Sequence, residues 1–117
     1  MAKLVVTIQG RTLREVVLPK GIALTIGRGS ENMLVLENTA ISRFHARVEQ
    51  IGWPFYLEDL GSTNGTRLNG KKIANRASLK RNDKIGVGKF EIVFLDDPSD
   101  YDSRKGGDDG MTTIPVG

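Results

Sequence analysis

Phe55-Tyr56-Leu57-Glu58-Asp59-Leu60-Gly61-Ser62-Thr63-Asn64-Gly65-Thr66-Arg67-Leu68-Asn69-Gly70-Lys71-Lys72-Ile73 is the stretch that decides the fold. Phe55 and Leu57 alternate with polar neighbours, the period of a strand with one face inward. Gly61 to Gly65 then breaks the pattern with small and polar residues. Asn69-Gly70, set between Thr66-Arg67-Leu68 and Lys71-Lys72-Ile73, is a two-residue hairpin signal, because Asn and Gly both tolerate positive φ.

The same alternation recurs on either side of this stretch. Leu4, Val6 and Ile8 share one side of a strand, as do Phe44, Ala46 and Val48, then Ile85 and Val87, then Phe90, Ile92 and Phe94. Turn-forming clusters separate them: Gln9-Gly10-Arg11, Pro19-Lys20-Gly21, Gly52-Trp53-Pro54 and Arg81-Asn82-Asp83. No unbroken stretch carries an apolar stripe of helical period, so little or no helix is expected. Many short strands between Gly- and Asn-rich turns predict an all-β, antiparallel sandwich or barrel.

A chain of 117 residues suits one domain able to bury a core without covalent staples. The absence of cysteine excludes disulfides, thiolate metal sites and thiol catalysis, and a single histidine excludes a multi-histidine metal site. No metal or cofactor is expected. Lys3 precedes only the short run Leu4 to Ile8, interrupted by Thr7, which is too short for a signal sequence or a membrane span. A cytoplasmic protein with no membrane partner is the expectation.

Charge is unevenly distributed. The whole chain has 17 Lys+Arg against 14 Asp+Glu, a formal +3. Residues 1–95 hold 15 basic and 8 acidic groups, net +7, whereas residues 96–117 hold 2 basic and 6 acidic, net −4. The composition shift after Leu95 predicts a domain over 1–95 and an acidic, Gly/Asp-rich disordered tail or linker over 96–117.

Three segments at strand edges concentrate hydroxyl, amide and guanidinium groups: Thr25-Ile26-Gly27-Arg28, Ile41-Ser42-Arg43-Phe44-His45-Ala46, and Asp59 to Thr66. Loops at one end of a sandwich can converge. Together these three would offer an inventory rich in donors and poor in acceptors, which suits the oxygens of a phosphate.

Gly27-Arg28, Ser42-Arg43-Phe44-His45-Ala46, Leu60-Gly61-Ser62-Thr63-Asn64-Gly65-Thr66 and Asn69-Gly70, in this order and spacing, resemble the forkhead-associated (FHA) domain over about residues 4–95. The resemblance implies an eleven-stranded β-sandwich without catalytic activity that recognises phosphothreonine in an extended peptide. It further implies that Arg28, Ser42, Arg43 and Thr63 contact the phosphate, and that Asn64 bonds the peptide backbone. His45 is implied to brace the loops rather than to catalyse. Gly27, Gly61, Gly65, Asn69 and Gly70 are expected to shape loops, Gly27 by letting the strand end turn. Family specificity arises three residues after the phosphothreonine. Uncharged Ala40, just before Ile41-Ser42, leaves an apolar preference there at least as well supported as an acidic one.

The implied partner is a threonine-phosphorylated protein, with a Ser/Thr kinase upstream. Thr112 and Thr113 in the acidic tail are candidate phosphoacceptors whose phosphate would add about 1.5–2 negative charges, making the tail a candidate ligand of its own domain. The alternative is a nucleic-acid-binding basic β-domain, suggested by Lys71, Lys72, Arg76, Lys80, Arg81 and Lys84. It is the weaker reading, because those charges are expected to fall mostly in turns and most Phe positions to point inward. No P-loop, dinucleotide fingerprint or catalytic triad supports an enzyme.

Overall fold

A computed structural model describes residues 1–97, so Thr112 and Thr113 lie outside the described residues. Within them are eleven strands and no helix. In chain order they are β1 (Lys3–Ile8), β2 (Arg11–Val17), β3 (Leu24–Gly27), β4 (Leu34–Val35), β5 (Ala46–Gln50), β6 (Phe55–Asp59), β7 (Arg67–Leu68), β8 (Lys71–Lys72), β9 (Arg76–Leu79), β10 (Lys84–Val87) and β11 (Phe90–Leu95). They form a six-stranded sheet, β2-β1-β11-β10-β7-β8, and a five-stranded sheet, β4-β3-β5-β6-β9. No described helix is long and apolar enough to cross a membrane.

Period-two alternation builds the core. Leu4 and Val6 of β1, Ile85 and Val87 of β10, and Ile92 and Phe94 of β11 face inward from one sheet. Leu24 and Ile26 of β3, Ala46 and Val48 of β5, and Phe55 and Leu57 of β6 meet them from the other. Phe55 and Phe94 join the two layers directly, their ring centroids 5.1 Å apart. Strand β2 shows no such alternation and is almost wholly exposed at a sheet edge, where Arg11, Arg14 and Glu15 discourage further strand pairing.

The turn signals act as their chemistry requires. Asn69 and Gly70 adopt φ of 52° and 86° between β7 and β8, and Gln9 and Gly10 adopt 50° and 78° between β1 and β2. Two expectations need correction. One pair is parallel, β3 with β4, matching Ile26 to Leu34 and Gly27 to Val35. The intervening chain doubles back through a turn at Gly29 to Asn32, which returns it beside β3 in the same direction. Phe44, expected inward with Ala46 and Val48, is 45% exposed. Strand β5 starts only at Ala46, and the loop before it places His45 inside instead.

Candidate functional site

The β3–β5 pairing continues beyond both strands and sets the first two loops side by side. His45 N–H donates to Ile26 O (2.9 Å), Arg28 N–H to Ser42 O (2.9 Å) and Gly29 N–H to Arg43 O (3.1 Å). Gly27 sits where this seam is tightest. A Cβ there would lie 2.2 Å from Arg43 O and 2.8 Å from Asn32 Nδ2. Its φ is not in the left-handed region, so its role is close approach of two backbones rather than the turn expected from sequence.

His45 has no exposed surface and ties all three loops together. Its Nδ1 accepts from Ser42 N–H (3.1 Å), which places the ring proton on Nε2, and Nε2 donates to Gly65 O (2.9 Å). Its carbonyl accepts from Leu60 N–H (2.9 Å). Both ring nitrogens are thus committed to backbone groups.

Asp59 organises the third loop. Its carboxylate accepts from the backbone N–H groups of Gly61 (3.1 Å) and Ser62 (3.2 Å), from the Ser62 hydroxyl, and from the buried Thr66 hydroxyl (2.7 Å). Desolvation alone would push this carboxyl up, but the hydrogen bonds from Ser62, Thr66 and Gly61 outweigh it and hold it below the usual aspartate value. Gly61 and Gly65 adopt φ of 75° and 86°, supplying the turns at either end. The loop then reaches across to the second: Thr63 N–H donates to Ser42 Oγ (2.9 Å) and Asn64 Nδ2 to Ala40 O (2.8 Å).

The structure therefore brings Gly27, Arg28, Ser42, Arg43, His45, Gly61, Thr63, Asn64 and Gly65 into one constellation. Asn69 and Gly70 stand apart, with Asn69 bonded to Asp83 and Lys84 rather than to these loops. Arg28 Nε donates to Ile41 O (3.0 Å), which fixes the guanidinium while its terminal nitrogens have no partner among the described residues. Ser42 Oγ accepts from Thr63 and keeps its own proton to donate. Thr63 and Asn64 are exposed. A set of fixed donors is what an anion with several oxygens requires.

Three contributors escaped the sequence reading. Asn32 is 6% exposed, and its Nδ2 bridges Gly29 O (2.8 Å) and Arg43 O (2.7 Å), while its buried Oδ1 has no partner among the described residues. Glu31 pairs with Arg43, and that hydrogen bond lowers the Glu31 carboxyl below its ordinary value and raises Arg43. Asp59 was visible within its loop but without a role. Their signals are Gly29-Ser30-Glu31-Asn32, a run of turn formers, and Asp59 followed three residues later by Ser62, an Asx-type turn.

Residues 24–88 match the family model described as the FHA domain. The chain is 36% identical over 77 residues to the glycogen accumulation regulator GarA of Mycolicibacterium smegmatis, covering 66% of this chain and 48% of GarA. It is 35% identical over 74 residues to the oxoglutarate dehydrogenase inhibitor of Corynebacterium diphtheriae, covering 63% and 51%. The chain thus spans about half the length of these relatives. Among solved structures, the FHA domain of CT664 from Chlamydia trachomatis superposes with a TM-score of 0.74 at 28% identity, over 81% of this chain and 96% of that one. EmbR of Mycobacterium tuberculosis, in complex with a low-affinity phosphopeptide, superposes with a TM-score of 0.70 at 29% identity, over 80% and 24%.

Proposed function

This chain belongs to the FHA domain family, and from that premise we propose that it is a cytoplasmic, non-enzymatic adaptor that reads phosphothreonine in a segment of a partner protein. Residues 1–95 are the reading domain. Arg28, Ser42, Arg43 and Thr63 hold the phosphate, and Asn64 holds the peptide backbone through an amide that both donates and accepts. The observation that carries this reading is the Arg28 guanidinium, pinned through Nε to Ile41 O with its two terminal nitrogens unclaimed among the described residues, beside a Ser42 hydroxyl whose proton is likewise unclaimed there.

The chemistry favours binding over catalysis. His45 spends both ring nitrogens on backbone groups, so it offers no general base. A phosphothreonine carries about 1.5–2 negative charges and three acceptor oxygens, which matches a rigid donor set better than a neutral side chain does. Names that describe a regulator and an inhibitor suit relatives that work through binding, and a phosphopeptide complex is described for EmbR. The upstream enzyme is a Ser/Thr kinase, and its target is the partner or the chain's own Thr112 or Thr113. Uncharged Ala40, whose carbonyl holds Asn64, supports an apolar residue three positions after the phosphothreonine at least as well as an acidic one.

The nucleic-acid alternative gains no support. Lys71, Lys72, Arg76 and Lys84 lie in strands β8, β9 and β10 rather than in turns, but among the described residues the two well-exposed large aromatics, Phe44 and Trp53, lie at opposite ends of β5, so they form no common stacking platform.

The test is a matched pair of peptides, phosphorylated and not, titrated by fluorescence polarisation. Binding of the phosphopeptide alone is expected, with micromolar affinity, roughly −7 to −9 kcal/mol. Arg28→Ala should weaken it by about tenfold or more, since a hydrogen bond to a charged group contributes about 1.5–3 kcal/mol. Equal binding of the two peptides would remove the proposal.

A further inference from the structure

Arg28 and Arg43 are not equivalent. Among the described residues the terminal nitrogens of Arg28 are unclaimed, whereas Arg43 is already occupied by a carboxylate, that of Glu31. This occupancy is built into the loop. Asn32 N–H closes the Gly29–Asn32 turn on Gly29 O (3.2 Å), and the Asn32 amide clamps Gly29 O and Arg43 O together, which holds Glu31 over the second loop. Gly29 supplies the room for the pair. A Cβ there would lie 2.6 Å from Glu31 Oε1 and 2.8 Å from Arg43 Cγ, so any other residue would push the two side chains aside. The guanidinium also lies 5.8 Å from the centre of the exposed Phe44 ring.

We propose that Glu31 is a specificity-determining residue, a resident carboxylate that phosphate must displace from Arg43 and that, once displaced, favours a phosphothreonine segment with a basic side chain beside the phosphothreonine. The inference rests on Arg43 contacting the phosphate, as proposed above. Displacement is feasible because the Arg43 and Glu31 side chains are 65% and 46% exposed, and an ion pair in water is weak and readily exchanged. A phosphate, with its greater charge and extra oxygens, outcompetes a single carboxylate for the guanidinium. The freed Glu31 then remains tethered at the rim by the Asn32 turn, next to the bound segment and without its cation. A lysine or arginine of the ligand restores that pairing; a neutral or acidic residue does not.

This runs against the domain's overall field. With a net of +7 over residues 1–95, long-range electrostatics disfavours a basic ligand at every position, so a local gain has a distinctive sign. The experiment titrates phosphothreonine peptides with a neutral flank and with lysine placed in turn at each position close to the phosphothreonine, against the unmodified chain, Glu31→Gln and Glu37→Gln. Glu37 is an exposed acid near the same loops without contact to Arg43, so it controls for the change in net charge. At one lysine position at least, the unmodified chain and Glu37→Gln should bind about threefold tighter than to the neutral flank, and Glu31→Gln should lose that advantage, the size expected of one exposed ion pair. No gain at any lysine position, or a gain that persists in Glu31→Gln, overturns the proposal. Indifference of the unmodified chain to phosphorylation instead overturns the reading of the site itself.

Discussion

The chain contains two Asn-Gly pairs close together, and they do different work. At Asn69-Gly70 both residues take positive φ, 52° and 86°, and close the turn from β7 to β8. At Asn64-Gly65 only the glycine does, at 86°. There the Asn64 amide reaches Ala40 O, 24 residues away, and Gly65 O accepts the hydrogen bond from His45 Nε2–H, 20 residues away. The first pair shapes a turn through its backbone φ, and its Asn69 amide anchors that turn to Asp83 and Lys84 at the start of β10. The second is selected by what it holds across the site, so one dipeptide serves as a hairpin turn in one place and a loop clamp in the other.

His45→Ala tests the clamp most severely. It removes a fully buried side chain and leaves Ser42 N–H and Gly65 O without partners, which should lower stability by about 3 kcal/mol and weaken phosphopeptide binding with it. Thermal melts and titrations on the same samples decide this. An affinity loss at an unchanged melting temperature would mean that His45 is a ligand rather than a brace.

Gly65→Ala and Gly70→Ala separate the two pairs directly. Each forces a side chain into the left-handed region, a penalty of about 1–2 kcal/mol, and at Gly70 nothing lies within 4 Å of the added atom. At Gly65 the new Cβ would also meet Lys72 Cε at 2.5 Å, so Lys72 must swing away. Both variants should melt lower, but only Gly65→Ala should also bind phosphopeptide more weakly. Equal affinity losses would erase the distinction between turn and clamp.

The smallest expected effect is in the pH dependence, and it belongs to the clamp alone. The Asp59 carboxyl titrates lower in the folded chain than its ordinary value of 3.8, because the hydrogen bonds from Ser62, Thr66 and Gly61 outweigh desolvation. Its contribution to stability is therefore complete above the unfolded value and is lost as pH falls through the lower folded one. Stability should therefore fall more steeply with acid in the native chain than the remaining carboxylates dictate, and Asp59→Asn should flatten that limb of the curve. An unchanged acid limb would show that Asp59 is not linked to folding.

Much of the fold was legible because its signals are local. Alternation at Leu4 and Val6, Phe55 and Leu57, Ile85 and Val87, and Ile92 and Phe94 follows from strand geometry, and Gln9-Gly10 and Asn69-Gly70 from the φ values their turns require. Phe44 misled because alternation does not mark where a strand begins. Strand β2 was illegible because it is an edge strand with only Val16 half-buried against the core, too little burial to impose alternation. The donor-bearing residues Arg28, Ser42, Thr63 and Asn64 were legible as a set, but their bonds to Ile41, Ala40 and one another were not.

By itself, then, the sequence determined a β-sandwich built from short strands and Asn- and Gly-based turns, with a basic body, an acidic end and a donor-rich set of loops. These properties depend on residue type, period and neighbouring φ alone. Only the tertiary structure decided that Gly27 is a point of contact rather than a turn, that β4 runs parallel to β3, that Asp59 gathers its own loop, and that Glu31 occupies Arg43 while Arg28 stays open. Most of these depend on atoms brought together from distant parts of the chain or across a folded loop. No local preference encodes such distances; they exist only once the two sheets have packed and the loops have closed over His45.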